Sequence, residues 1–205
     1  MPETPLTTFE LEAYTETLFT DLDLNGQTFE SRQFQGCTFS KCNLSEVTFQ
    51  KTQFTDCTFI ECDLSLAKLP YSRFANVSFK KSRLLGINWC NADWAKYSLL
   101  KFHPIGFEDC LLDHSVFMGL NLTETKFVRC MARHLDFESA DLTRADFSEA
   151  DLEVTRFSHC NLTEANFIRA SNYQINAAEN TLHQARFSLP EAVNLLYSLD
   201  IIIED

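Results

Sequence analysis

Glycine and proline are scarce, five of each in 205 residues, which excludes collagen-like and linker-rich chains. Residues 1–24 contain no Lys or Arg, so no signal-peptide n-region is present. No stretch approaches the ~18 consecutive apolar residues of a membrane span, so nothing crosses a bilayer. Cationic side chains are also few: 17 Lys and Arg stand against 29 Asp and Glu, for a net charge of −12. Neutralising phosphates requires Lys and Arg, so nucleic acid and anionic membranes are repelled and basic protein surfaces are the natural partners. Catalytic patterns are missing too. The five His are scattered, there is no G-x-S-x-G or phosphate loop, and the eight Cys lack the His partners of zinc sites. These absences predict a cytoplasmic protein that is not an enzyme and holds no cofactor or metal.

What the chain has in excess is phenylalanine, 19 residues, together with a strict spacing. Large apolar residues recur every five positions from Phe19 to Leu99. A second run, offset by three, goes from Phe107 to Phe187 and weakens through Asn172 and Ala177. Two residues before most centres stands a small residue such as Cys37, Cys42, Ala140 or Ala145, and no acidic residue enters either class of position. Unpaired buried carboxylates are costly, so this segregation marks an inside and an outside. A period of five matches neither the helical 3.6 nor the strand 2.0 and requires a corner every five residues. Stepping by 20 gives an all-Leu ladder (Leu24, Leu44, Leu64, Leu84) and an all-Phe ladder (Phe19, Phe39, Phe59, Phe79), hence four sides to a coil.

The motif resembles the pentapeptide-repeat family, A(D/N)LXX, most closely at Ala140-Asp141-Leu142, Ala150-Asp151-Leu152 and Ala165-Asn166-Phe167. The resemblance implies an all-β fold, a right-handed quadrilateral β-helix with a short C-terminal α-helical cap or dimerisation tail. It divides the chain into an N-terminal cap (1–16), a first repeat run (17–99), a bulge or loop (100–106), a second run (107–187) and a C-terminal helix and tail (188–205). About 8.5 coils at ~4.8 Å each make a filled rod of roughly 40 Å. Cys37 and Cys57, Cys42 and Cys62, and Cys110 and Cys130 stack in neighbouring coils. Disulfide geometry allows such pairs, while a reducing compartment favours plain core packing. The three N-L-S/T sequons, at Asn43, Asn121 and Asn161, are by-products of the repeat.

Three features are candidate contact sites. Asp136, Asp141, Asp146 and Asp151 fall at successive pentapeptides, one on each side of a coil, and with Glu149 form an acidic ring; the alternative is a charge that serves solubility alone. The interruption, with Lys101, Phe102, His103, Pro104 and Ile105, is either a protruding contact loop or a structural irregularity. Beyond the repeats, Ser188-Leu189-Pro190-Glu191 reads as a capping box with Ser188 at the N-cap and Glu191 at N3. The helix behind it carries Leu189, Ala192, Val193, Leu196 and Leu199 on one face, which is either a lid over the last coil alone or a lid and dimer seam together. In the second reading Leu195 and the tail remain apolar and exposed, and Leu189, Val193, Leu195, Leu196, Leu199, Ile201 and Ile203 hold the dimer. The ending is similar to that of the Qnr and albicidin-resistance type of family member. That likeness implies a homodimer joined through its C-termini, which mimics DNA on bacterial DNA gyrase, with topoisomerase IV as a further target, and protects it from a quinolone or albicidin. The alternative is a non-catalytic scaffold for an unrelated regulatory protein.

Overall fold

A corner every five residues needs a backbone that reverses its hydrogen-bonding direction within one step. In the computed structural model, which describes residues 9–94, 105–199 and 201, left-handed corners provide this. Among the described residues twenty-six other than glycine, almost all two positions after an inward centre, adopt φ between 49 and 63°. Each such residue costs about 1–2 kcal/mol. The offset is a rung along the rod axis: the corner N–H of Glu46 donates to Ser65 O at 2.8 Å, and that of Arg144 to Thr163 O at 2.8 Å.

The coils stack in parallel with a step of 20, giving four sides named here by their first inward residue. Side 1 starts at Tyr14, side 2 at Phe19, side 3 at Leu24 and side 4 at Phe29. Side 1 pairs the strands Ala13–Thr15, Gln33–Gln35, Gln53–Thr55 and Arg73–Ala75. Side 2 is a six-stranded sheet from Leu18–Thr20 to Phe127–Val128. Its interior is a single column of nine Phe, from Phe19 to Phe187, with neighbouring ring centroids 4.5–5.3 Å apart and planes within 22° of parallel. Burying each side chain contributes about 1.5–3 kcal/mol, so the column is a main source of cohesion. The small inward positions donate to the carbonyl 23 residues earlier: Ser72 Oγ to Phe49 O at 2.8 Å, Cys160 Sγ to Phe137 O at 3.0 Å. That shared geometry makes Cys, Ser and Thr interchangeable there, while Ala fits by its small size without a donor.

The lattice begins earlier than residue 17. Tyr14 stacks on Phe34 at 5.4 Å and Phe9 closes the first coil, its ring 4.7 Å from Phe29 and 5.2 Å from Phe19. Phe9 is therefore on the five-residue lattice.

The interruption is larger than a slip of three. Trp94 still stacks on Phe74, 20 positions back, at 5.9 Å, but Phe79 pairs with Phe107 and Asn88 with Val116, both 28 apart. Eight extra residues leave a remainder of three in a five-residue period, which is what the sequence displays. Ile105 and Gly106 already belong to the strand Ile105–Glu108, paired with Val77 and Ser78, and Ile105 is buried. It is a core residue, not a loop contact. Lys101, Phe102, His103 and Pro104 lie outside the described residues.

In the last full coil the register also breaks. Phe157 pairs with Ile175, a step of 18, and Leu162 N–H donates to Thr181 O, a step of 19 that restores the usual rung. Tyr173 and Ile175 fill the interior, whereas Asn172 and Ala177, the positions a strict lattice assigns inward, do not. The segment beyond it is a 3₁₀ turn, Glu191–Val193, followed by one turn of helix, α1, Asn194–Tyr197. No capping box forms. Ser188 Oγ accepts from the Arg169 backbone N–H at 2.8 Å, and the Glu191 carboxylate accepts from Asn194 Nδ2 at 3.1 Å. Tying the chain to the preceding coil has taken the Ser188 hydroxyl away from the helix.

Candidate partner-binding surface

Asp136, Asp141, Asp146 and Asp151 lie one on each of the four sides, all half-buried. Each carboxylate holds its own backbone, because its Oδ1 accepts from the N–H two residues on, Glu138 at 2.9 Å, Thr143 at 3.1 Å, Ser148 at 3.0 Å and Glu153 at 3.3 Å. Such Asx turns fix the corner. Asn43, Asn121 and Asn161 make the same bond at their own corners. The D/N of the motif is therefore a capping requirement, and the charge of Asp comes in addition to it.

The ring is not bare. Arg156 Nη1 lies 3.7 Å from Asp136 and 2.9 Å from Glu138, and Arg133 binds Asp151. Burial pushes the Asp151 carboxyl up, but hydrogen bonds from Asn172 and Arg133 outweigh it and hold the group below the ordinary carboxylate value. Asp146 accepts from Asn166 Nδ2 at 2.8 Å, and Asp141 from Thr143 Oγ1 at 2.6 Å. Glu149 belongs to a different arrangement. The corners of side 2 read Asp21, Lys41, Glu61, Lys81, Asp109, Arg129, Glu149, Arg169, a column that alternates in sign at every coil. Arg129 Nε meets Asp109 at 2.7 Å and Arg169 Nη1 meets Glu149 at 3.8 Å. The Arg129 contacts hold the Asp109 carboxyl below its ordinary value.

The acidity of the rod follows two opposite sides and not one coil, and only Asp141 and Asp151 of the ring belong to them. Side 3 bears Asp23, Glu46, Asp63, Asp113, Asp151 and Glu153 against Arg83 and Arg133. Side 1 bears Glu12, Glu16, Asp56, Asp93, Glu124, Asp141 and Glu164 against Arg32, Arg73 and Arg144 among the described residues. Sides 2 and 4 are close to neutral. Charge counted along the chain mixes all four sides, which is why the successive stretches of sequence do not reveal this division.

At the C-terminal end the two faces of the helix are exchanged relative to expectation. Leu195 packs on the core with Phe187 and Leu182, and Val193 is half-buried. Leu189, Leu196, Tyr197, Leu199 and Ile201 are exposed. Ile203 lies outside the described residues. The cysteines are free; burial pushes the Cys57 thiol up to about 12 and that of Cys160 to about 11, so neither is reactive near neutral pH. Among the described residues no group of three or more His, Cys, Asp or Glu is arranged to hold a metal ion, and no helix is long and apolar enough to cross a membrane.

A four-sided parallel solenoid with a filled interior and capped corners defines the class. A family model, Pentapeptide repeat region, matches residues 32–103 and 100–167, and the chain belongs to that family. The two matched stretches meet at the eight-residue insertion. No curated protein matches the sequence. Among solved structures, a trypsin-treated form of QnrB1, a plasmid-mediated fluoroquinolone resistance protein, is 16% identical with a TM-score of 0.69, over 94% of this chain and 97% of that one. HetL, a pentapeptide-repeat protein involved in heterocyst differentiation regulation from the cyanobacterium Nostoc sp. strain PCC 7120, is 17% identical with a TM-score of 0.58, over 88% and 86%. At these identities the likeness is one of fold.

Proposed function

We propose that the chain binds bacterial DNA gyrase, with topoisomerase IV as a second target, by occupying the basic surface that otherwise holds DNA, and so protects the enzyme from a topoisomerase-poisoning antibiotic such as a quinolone or albicidin. The observation that carries this reading is the placement of the acidity on two opposite sides of a slender rod whose other two sides are near-neutral. Duplex DNA likewise presents its charge as two strands along a rod, one charge per ~1.7 Å of axis. The protein is the sparser of the two, so it competes as a weak, releasable mimic. Asp63, Asp141 and Asp151 among these carboxylates are fixed by backbone caps, which removes the ordering cost of a flexible acidic tail at those positions. The exposed apolar end, Leu189, Leu196, Leu199 and Ile201, supplies the seam of a homodimer that doubles the length of the rod. The likeness to QnrB1, which spans nearly the whole of both chains, supports the reading at the level of fold.

The test is a gyrase supercoiling assay with purified protein, alone and with a quinolone or albicidin. Inhibition at high protein concentration together with rescue from one drug class at lower concentration is expected. A fourfold variant of exposed acids on the two acidic sides, Glu12→Gln, Glu16→Gln and Glu164→Gln on side 1 with Glu46→Gln on side 3, should keep its fold and lose most of the effect; full activity in that variant would falsify the electrostatic mechanism. A scaffold for a regulatory protein is the second reading, favoured by the charge-balanced column on side 2, which suits a flat protein contact better than a DNA channel. Binding that does not weaken between low and high salt would favour it.

A further inference from the structure

We propose that the groove between the last coil and α1 binds a small organic cation, a guanidinium or ammonium group carried beside a hydrogen-bond acceptor. This inference does not depend on the topoisomerase reading. The groove encloses about 680 Å³, within the ~300–1,000 Å³ of ligand sites, and Glu153, Tyr173, Glu191, Asn194, Tyr197 and Ser198 are among its walls. Among the described residues no Lys or Arg lines it. It lies where the lattice breaks: the 18-residue step from Phe157 to Ile175 brings the left-handed corner forward to Asn172 and turns Tyr173 inward.

Two of its polar groups are incompletely used. Glu153 already has Arg133 at 3.7 Å, but Glu191 has no cation partner among the described residues and accepts only from the neutral Asn194 amide, at 3.1 Å. Tyr173 is fully buried, and its hydroxyl has no hydrogen-bond partner among the described residues. Burial and the nearby Glu191 charge push this phenol up to about 12, so it remains a protonated donor at neutral pH. A buried donor without an acceptor and a carboxylate without a counter-ion in one groove are complementary to a ligand with an acceptor atom next to a cation. The exposed ring of Tyr197 offers the cation an aromatic face. Phosphates and carboxylates are excluded by the same carboxylates.

The probe is N-acetyl-L-arginine amide, which joins a guanidinium to amide carbonyls, titrated into the ¹⁵N-labelled protein and followed by NMR. The citrulline analogue, equal in shape and uncharged, is the control. Saturable shifts confined to residues 172–176 and 191–198 are expected, with citrulline at least tenfold weaker. Glu191→Gln should abolish the preference for arginine. Tyr173→Phe, which keeps the ring and its packing, should weaken binding about fivefold. Shifts spread over the acidic sides 1 and 3, equal binding of the two probes, or parental titration curves in both variants would each overturn the proposal.

Discussion

At the scale of the residue, the repeat gives each side chain two roles that can be separated by substitution. Asp141 accepts from the Thr143 N–H at 3.1 Å and its hydroxyl at 2.6 Å; one coil on, Asn161 accepts from the Thr163 N–H at 3.2 Å and its hydroxyl at 2.7 Å. An amide therefore caps this corner as well as a carboxylate does. Asp141→Asn should change stability by less than about 0.5 kcal/mol, whereas Asp141→Ala, which leaves the Thr143 N–H without its acceptor, should cost about 1 kcal/mol in urea unfolding. Corners give a second case. Val154 is a β-branched residue at φ 56° with an exposed side chain, so its backbone is strained and little packing compensates. Val154→Asn should raise stability by about 1 kcal/mol, and a lower urea midpoint would mean that the side chain packs more than its exposure indicates.

At the scale of the element, the coil was legible because its inward positions obey one rule: Phe and Leu at the centres and small residues two before them specify the ladder with no help from tertiary context. What the sequence hid are the places where the number of residues per coil changes. An eight-residue insertion looks like a slip of three, because only the remainder against a period of five is visible. The 18-residue step at Ile175 hides because Asn172 and Ala177 keep the nominal spacing while Tyr173 takes the interior. The helix misled for a different reason. Ser188 and Glu191 have the spacing of a capping box, but a carbonyl-and-amide edge left open by the last coil competes for the hydroxyl, and Arg169 N–H wins it. The consequence reaches the end of the rod: Leu195 faces the core and Leu196 faces solvent. Leu195→Ala should destabilise the last coil by about 2 kcal/mol and accelerate hydrogen exchange there. Leu196→Ala should leave unfolding unchanged and shift the sedimentation profile toward the monomer. A stable, fully associated Leu196→Ala protein would place the dimer seam elsewhere.

At the scale of the whole molecule, the question is whether net charge or its distribution governs recognition, and the alternating column on side 2 makes the two separable. Asp21 and Glu61 stand in that column beside Lys41 and Lys81, while Glu46 on side 3 and Glu164 on side 1 stand on the acidic sides; all four are exposed corner residues with φ between 54 and 58°. Neutralising either pair removes two charges from the net −12 and alters the same kind of backbone position. A mechanism set by overall charge treats the two double variants alike. A mechanism set by the acidic sides does not: Glu46→Gln with Glu164→Gln removes charge from surfaces that face a basic partner, whereas Asp21→Asn with Glu61→Gln unbalances a column that was neutral, leaving Lys41 unopposed and Lys81 with Asp109 alone. Measured by competition with DNA for gyrase, the first pair should weaken binding and flatten its dependence on salt, because fewer charges take part. The second should leave the salt dependence nearly as it was while lowering the stability of the rod in low salt, where side 2 loses the attraction between successive coils. Equal losses of affinity in both would mean that the division of charge between sides has no part in recognition.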